Sequence, residues 1–254
     1  MTAHFSDIKG KHVIVTGGSK GIGRDVAIEF AKLGASVVIT GRDENALLET
    51  KNELMKFSSP HYYIVADMRE VTEVIQMVDE AAGLMGGIDI LVNNAGVNLP
   101  KSAFEVTEED WDSMMDTNLK GSFFCSQQAG RYMLKQKKGK IINIVSQMAF
   151  VGYFKRAPYC ASKGGAVQLT KALAVEWASQ HINVNAVAPT FIETELTKQM
   201  LEEPSFREDV INRIPLGKLA RPQDVTGAVL YLASNMADFI TGETIKVDGG
   251  WTAI

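Results

Sequence analysis

The chain has 254 residues, 46% hydrophobic and 22% charged, with a formal net charge of -4. It is long enough to bury a large core, and it has no long basic run that would favour nucleic acid or a membrane surface as a main partner. No apolar stretch approaches the roughly 20 residues of a membrane-spanning helix, and residues 1–10 lack the apolar run of a signal peptide. We therefore expect a soluble cytoplasmic protein with no nucleic-acid or membrane partner.

The cysteines and histidines do not form a metal-binding pattern. The two cysteines, Cys125 and Cys160, make no CxxC motif, and the four histidines are scattered along the chain. We expect no metal site and interpret both cysteines as reduced packing residues.

The first motif is a glycine-rich turn between a predicted strand and a predicted helix. His12–Thr16 is a β-branched apolar run, and residues 22–33 carry apolar side chains at helical spacing. Glycines at 17, 21 and 23 allow a tight turn, close approach to a pyrophosphate and close packing of the helix on the strand. The free amides at the helix start favour an anion. Without the flanking strand and helix, the same residues would be an ordinary glycine loop.

The second predicted strand ends where dinucleotide-binding folds select their cofactor. An acidic side chain there binds the ribose 2'-hydroxyl, whereas a cation binds a 2'-phosphate. This chain has Gly41 followed by Arg42, and Lys20 in the glycine turn could reach the same phosphate. These two cations favour NADP and leave NAD possible. The alternative is that Arg42 is a solvated loop residue and Asp43 is the N-cap of the next helix.

The third and fourth predicted strands, 62–66 and 88–92, end in further polar motifs. Asp67 and Met68 follow the third strand, where Asp67 could instead cap the next helix. The motif at 93–96, Asn-Asn-Ala-Gly, follows the fourth strand. Its amide side chains can tie neighbouring strand ends together, and its glycine allows close approach of the main chain to a cofactor ribose.

The next segment combines a helix with a buried strand. Thr107 and Asp110 resemble a capping box before a long helix with an apolar stripe. Asn118 lies within this helix, where an amide gives no helix-forming advantage, and alone it would be interpreted as a surface residue. The strand at 141–145 then runs into Ser146, which places a hydroxyl at the edge where parallel sheets bind ligands.

Tyr159 and Lys163 lie four residues apart on the helix predicted at 157–177 and therefore share one face. A phenol ionises near pH ~10, so acid or base work at neutral pH needs its pKa lowered by about three units, or about 4 kcal/mol. A neighbouring ammonium supplies part of this. An isolated pair with this spacing is usually an ordinary surface pair, but this one follows Ser146 by 13 residues.

The last part of the chain completes the alternation of strands and helices. A strand at 182–188 is followed by the segment 190–219, which has mixed charge and few strand signals and is predicted to be a lid and specificity region. A helix at 221–232 and a strand at 244–247 follow. We predict an α/β fold in which residues 1–254 form a single domain, a doubly wound parallel sheet of about seven strands with helices on both faces.

In this order, the motifs resemble the classical short-chain dehydrogenase/reductase family. The pattern is TGxxxGxG at 16–23, NNAG at 93–96, then Asn118, Ser146 and the YxxxK pair, and it extends over residues 10–250. The resemblance implies a Rossmann fold and an NAD(P)-dependent oxidoreductase that transfers a hydride between nicotinamide and a carbonyl or secondary alcohol.

The resemblance also implies a role for each matching residue. Tyr159 exchanges the proton on the substrate oxygen, Lys163 lowers the tyrosine pKa and holds the ribose, Ser146 orients the substrate, and Asn118 positions a relay water. Asp67 binds the adenine amine, while the Ile192 main chain holds the carboxamide. The cofactor-binding residues expected from the motifs and the resemblance are Gly17, Ser19, Lys20, Gly21, Ile22, Gly23, Arg42, Asp67, Met68, Asn94, Ala95, Gly96, Tyr159, Lys163, Pro189, Ile192 and Thr194.

The sequence departs from the family at Thr190, where glycine is usual. A β-branched residue disfavours positive φ. Two branches of the family are resembled, sugar-acid dehydrogenases of the gluconate 5-dehydrogenase type and 3-oxoacyl carrier-protein reductases. The second usually has an arginine before the glutamate of the YxxxK helix, where this chain has Val175. Four basic residues could form a patch for an acidic carrier or could simply be a solvated helix end: Arg131, Lys135, Lys137 and Lys138.

The sequence thus predicts a small-molecule substrate, namely a sugar acid, sugar or polyol. The alternative enzyme is a 3-oxoacyl carrier-protein reductase, and the alternative of another class is a catalytically idle nucleotide-binding sensor. The resemblance further implies a homotetramer, with Phe123 and Val167 at one interface and Trp251 near another.

Overall fold

A single parallel sheet organises the computed structural model, which describes residues 5–194, 197 and 201–253. Its strand order is β3-β2-β1-β4-β5-β6-β7, and every neighbouring pair is parallel. The strands are β1 His12–Thr16, β2 Ser36–Gly41, β3 His61–Val65, β4 Ile90–Asn93, β5 Gly139–Ile144, β6 Ile182–Pro189 and β7 Thr244–Val247. The predicted doubly wound sheet of about seven strands is confirmed.

The described helices connect these strands. They are α1 Gly21–Lys32, α2 Glu44–Leu54, α3 Val71–Met85, α4 Glu108–Met115, α5 Gly121–Gln136, α6 Ala157–Trp177, α7 Pro204–Asn212 and α8 Pro222–Ala233. A π-helical turn, Asp116–Lys120, joins α4 to α5. Within the described ranges, no helix combines the length and apolarity needed to cross a bilayer.

The central strands are buried on both faces, because alternate side chains of a strand point to opposite sides of the sheet. In β1, Val13 and Val15 belong to the core cluster that includes α1 and α8. Ile14 between them belongs to the opposite cluster, which includes α3 and α5. The helices therefore cover both faces of the sheet, and the polar residues at the strand ends lie at its edges.

Amide side chains tie the carboxyl ends of the central strands together. Asn93 Nδ2 donates to Asn143 Oδ1 at 2.8 Å, linking β4 to β5. Asn94 Nδ2 donates to the main-chain oxygens of Thr16 and Gly17, both at 3.0 Å, linking β4 to β1. Strand order reverses between β1 and β4, so this bracing lies where open α/β sheets form a ligand crevice.

Candidate active site

A cavity of about 860 Å³ lies at the carboxyl edge of the sheet. It extends from the glycine turn after β1, past the ends of β4 and β5, to the start of α6 and the chain after β6. The predicted site residues that line it are Gly17, Lys20, Gly21, Ile22, Asn94, Ala95, Gly96, Ser146, Tyr159, Lys163, Pro189, Ile192 and Thr194. The fold therefore brings most predicted residues into one space.

Ser146 and Tyr159 form the polar pair at the centre of this cavity. Ser146 directly follows β5, and its Oγ accepts a hydrogen bond from the Met148 amide at 3.2 Å. Burial raises the pKa of Tyr159, and a hydrogen bond with Ser146 and the charge of Arg156 only partly offset this rise. The phenol is therefore protonated at neutral pH in this structure and can act as a proton donor.

Lys163 lies one helical turn after Tyr159 and is almost fully buried. Its Nζ donates to the Ile144 main-chain oxygen at 2.9 Å and lies 5.8 Å from the centroid of the Tyr159 ring. Burial lowers the pKa of Lys163 to about 8. In this structure Ser146 and Arg156 supply the influences that lower the Tyr159 pKa, while the Lys163 amine bonds to a carbonyl. The expectation that the Lys163 ammonium lowers the tyrosine pKa stays a prediction.

Asn118 lies in the π-helical turn and is only 2% exposed, so the surface interpretation is wrong. Its Oδ1 accepts from the Val97 amide at 2.8 Å, and its Nδ2 donates to the Val97 oxygen at 2.9 Å. Nδ2 also donates to Ser162 Oγ at 3.0 Å, which ties this turn to α6. The Asn118 carbonyl accepts from Ser122 Oγ at 3.1 Å. Asn118 thus braces the loop after β4 against the helix that carries Tyr159.

The glycine turn has the shape required for a pyrophosphate. Gly17 and Gly21 have φ of +63° and +56°, in the left-handed region that favours glycine. A Cβ at Gly23 would lie 2.3 Å from the Gly17 oxygen and 2.4 Å from Asn94 Nδ2. No side chain caps the start of α1 at Lys20. The first amides of this helix are therefore free to bind an anion, and these residues fit a dinucleotide cofactor.

The two cations expected to bind a 2'-phosphate lie beside carboxylates near the surface. Arg42 Nη1 is 3.8 Å from Asp67 Oδ2, and Lys20 Nζ is 3.5 Å from Asp43 Oδ2. All of these side chains except Asp67 are more than half exposed. The interpretation of Asp43 as an N-cap is confirmed, because its carboxylate accepts from the Ala46 amide at 3.1 Å.

Asp67 lies outside the lining of the cavity and is held by a second arginine. Arg69 donates to its Oδ2 from Nη2 at 2.6 Å and from Nε at 3.0 Å. Burial alone would raise the pKa of Asp67, but the hydrogen bonds from Arg69 and the charges of Arg69 and Arg42 together outweigh burial and lower it. The alternative of Asp67 as a helix cap is wrong, since Glu70 occupies the N-cap position of α3. Ser19, Gly23 and Met68 also lie outside the lining.

Thr190, which stands where glycine is usual, does not adopt the left-handed backbone conformation. The described non-glycine residues with positive φ are Lys137, Lys155 and His181. The Thr190 amide donates to the Val247 oxygen at 3.1 Å, which continues the pairing of β6 with β7. Beyond it, the Thr194 amide donates to Thr197 Oγ1 at 3.0 Å. The predicted lid at 190–219 contains α7, while residues 195, 196 and 198–200 of that segment are outside the described residues.

Arg156 is a charged residue near the site that the sequence did not single out. It precedes α6, is 4% exposed, and donates from Nη1 to the Lys155 oxygen at 3.2 Å. Its charge acts on Tyr159, three residues away. The signal available in the sequence was an arginine directly before the helix that carries Tyr159, but the burial of Arg156 depends on tertiary packing.

The structure also gives positions for the predicted basic patch and for the residues predicted at subunit interfaces. Two residues of the basic patch, Arg131 and Lys135, lie in α5. The other two, Lys137 and Lys138, lie between α5 and the first residue of β5, at the amino edge of the sheet opposite the cavity. Val167 is 5% exposed and Trp251 is 7% exposed. Both pack in core clusters of this chain, and their place at subunit interfaces stays a prediction.

Comparisons with known proteins agree with this geometry. A family model described as enoyl-(acyl carrier protein) reductase matches residues 17–252. The chain is 38% identical to 2-dehydro-3-deoxy-D-gluconate 5-dehydrogenase of Escherichia coli, over 97% of both chains. It is 39% identical to 3-oxoacyl-(acyl-carrier-protein) reductase of Staphylococcus aureus, over 94% of this chain and 97% of the relative.

Solved structures show the same fold. One is named as an NAD(P)-dependent gluconate 5-dehydrogenase from Beutenbergia cavernae with bound NADP at low occupancy. It superposes with a TM-score of 0.93 at 34% identity, covering 97% of this chain and 98% of that one. A short-chain type dehydrogenase/reductase from Mycobacterium marinum superposes with a TM-score of 0.94 at 35% identity, with full coverage of both chains (100% and 100%).

Proposed function

Since the chain belongs to the short-chain dehydrogenase/reductase family of NAD(P)-dependent oxidoreductases, we propose that it interconverts a carbonyl and a secondary alcohol on a sugar acid, sugar or polyol. The observation that carries the proposal is the single cavity lined by the glycine turn, Ser146, Tyr159 and Lys163. The same cavity thus holds a proton donor, a second hydroxyl, a buried amine and the start of α1, where free amides can bind an anion.

A bound nicotinamide would supply or accept a hydride at the reacting carbon. In reduction, Tyr159 donates its proton to the carbonyl oxygen, and in oxidation it removes the alcohol proton. Ser146 orients the same oxygen, and the Lys163 ammonium stabilises the tyrosinate and holds the ribose. Asn118 positions a water that relays the proton.

The cofactor would be held along the whole lining, with its pyrophosphate at Gly17, Gly21 and Ile22. We propose NADP as the preferred form, because Arg42 and Lys20 flank the end of β2 and Gly41 leaves no acid there. Arg42 lies 3.8 Å from Asp67 and is 58% exposed, so a 2'-phosphate can recruit it at little cost. The NADP in the gluconate 5-dehydrogenase from Beutenbergia cavernae is consistent with this choice.

A sugar-acid substrate is favoured over an acyl thioester on a carrier protein. Sequence identity does not separate the two, since the relatives named for each reaction are equally similar. The position of the basic patch does favour one, because a carrier docked on Lys137 and Lys138 would lie at the edge opposite the cavity. Val175, 83% exposed, also stands where carrier-protein reductases usually have arginine.

The proposed assembly is a homotetramer, and the proposed location is the cytoplasm. Apolar side chains remain exposed on this chain: Phe104 and Phe239 are fully exposed, and Trp111 on α4 is 44% exposed. Such side chains are typical of surfaces covered by other subunits. The cysteines Cys125 and Cys160 are free, as expected for a reducing compartment.

The test is nicotinamide absorbance with purified protein, NADPH or NADH, and either 5-ketogluconate or an acetoacetyl thioester. Faster reduction of 5-ketogluconate with NADPH is expected. Preference for the thioester would assign the protein to acyl reduction, and preference for NADH would refute the phosphate argument. Cofactor binding without turnover of any carbonyl would instead indicate the idle sensor.

A further inference from the structure

Gln147 is a buried glutamine that lines the cavity directly after Ser146. Its side chain is 1% exposed, and neither Oε1 nor Nε2 has a hydrogen-bond partner in the described part of the chain. Native proteins pair nearly all their buried polar groups, because the desolvation free energy of a buried group is offset only when it makes a hydrogen bond. This amide therefore lacks a partner that the chain does not supply.

The main chain around Gln147 is fixed. It begins the short turn Gln147–Ala149, in which Ser146 Oγ accepts from the Met148 amide at 3.2 Å. The Gln147 oxygen accepts from the Phe150 amide at 2.9 Å. The main chain that carries the Gln147 side chain is thus fixed directly after Ser146, whose hydroxyl is proposed to orient the reacting oxygen, and a fixed position is what substrate recognition requires.

Other unpaired polar atoms belong to residues that line the same cavity. Four buried side-chain polar atoms of residues that line this cavity have no hydrogen-bond partner in the described part of the chain. Besides the two amide atoms of Gln147, these are Thr190 Oγ1 and Asn98 Oδ1. Amide and hydroxyl groups without partners therefore line the same cavity as Ser146 and Tyr159.

We propose that Gln147 binds a substrate hydroxyl next to the reacting carbon, and so selects carbonyl compounds with flanking hydroxyl groups over those with flanking methylene groups. A hydroxyl both donates and accepts, as an amide does, so one such group can satisfy Gln147. A substrate with a methylene group at this place would leave the Gln147 amide buried and unpaired. Sites built to hydrogen-bond a substrate hydroxyl reject analogues without that hydroxyl most strongly. The inference rests on the proposed carbonyl reduction at this site and specifies its substrate class.

The test compares Gln147→Met, similar in size but apolar at its end, with Gln76→Met as the matched control. Gln76 is an exposed residue of α3 outside the cavity lining. Reduction by NADPH is measured on two pairs, dihydroxyacetone with acetone and 2-hydroxycyclohexanone with cyclohexanone, and on 5-ketogluconate. The wild type should prefer the hydroxylated member of each pair.

In Gln147→Met, kcat/KM for the hydroxylated compounds should fall about 10-fold or more, with a change below about twofold for the others. The NADPH dissociation constant should be unchanged. The melting temperature of the free variant should rise by about 2 °C or more, because an unpaired buried amide has been removed. The control should match the wild type in all three measurements.

Equal losses on both members of a pair, no loss on either, or weaker NADPH binding as the main effect would each overturn the inference. The last result would assign the amide to the cofactor. If 5-ketogluconate is not reduced but the preference within the pairs depends on Gln147, the sugar-acid proposal fails and this inference stands. If the wild type reduces no carbonyl at all, both are refuted.

Discussion

Replacing Arg42 with leucine should change the cofactor preference of this enzyme without changing its stability. Arg42 Nη1 lies 3.8 Å from Asp67 Oδ2, and the arginine side chain is 58% exposed. Exposed ion pairs contribute about 0–1 kcal/mol, and Asp67 keeps its shorter hydrogen bonds from Arg69. The free protein therefore loses little, and its melting temperature should move by less than about 3 °C.

The loss in NADPH recognition is larger. A hydrogen bond to a charged group contributes about 1.5–3 kcal/mol, and at an exposed position screening takes this to the lower end. About 1.5 kcal/mol corresponds to roughly a 10-fold rise in KM for NADPH. NADH lacks the 2'-phosphate, so its KM should stay within about twofold.

The assay is steady-state kinetics with both cofactors on a single carbonyl substrate, at two ionic strengths. Arg69→Leu is the matched control, because Arg69 also bonds Asp67 but is not assigned to the phosphate. It should leave the ratio of the two KM values unchanged. Equal rises for NADPH and NADH in Arg42→Leu, or no rise for NADPH, would refute the phosphate argument.

Three further outcomes are expected at the site. Tyr159→Phe should lower turnover at least about 10²-fold while NADPH binding persists. Tyr132→Phe, a surface control, should not lower turnover. Near-native turnover in Tyr159→Phe would contradict the proton-transfer role of Tyr159. Burial lowers the pKa of Lys163 to about 8, so its ammonium predominates below that pH, and kcat/KM for reduction should fall as pH rises through it. The pH profile of Lys163→Arg should lack this fall in kcat/KM. An identical fall in the variant would assign the titration to another group. Gly23→Ala should abolish cofactor binding, because the added Cβ would lie 2.3 Å from the Gly17 main-chain oxygen. The control Gly83→Ala, in α3, places its Cβ in open space and should bind the cofactor normally. Equal cofactor binding by the two variants would contradict the packing argument.

Local patterns in the sequence were enough for much of the fold. The bounds predicted for α6 and β7 match the structure. The capping box at Thr107 and Asp110 is present with both of its hydrogen bonds. These features depend on residues within one or two turns of each other, so their physics is contained in short stretches of sequence.

The grouping of the site also followed from the sequence, because parallel strands bring their carboxyl ends to one edge. That rule placed Ser146 beside the helix with Tyr159 and Lys163, and all three line the cavity. The rule concerns topology and spacing alone. It does not describe how each side chain is solvated.

The tertiary structure alone decided burial, and with it the charge states and unpaired groups at the site. The sequence by itself determined the strand and helix order, the glycine turn and the shared face of Tyr159 and Lys163, which are set by spacing along the chain. It did not reveal that burial raises the pKa of Tyr159 and lowers that of Lys163. Nor did it reveal that Gln147 keeps an unpaired amide in the cavity wall, or that Val167 lies inside. Desolvation and hydrogen-bond pairing depend on neighbours tens or hundreds of residues away, and only the packed fold brings these together.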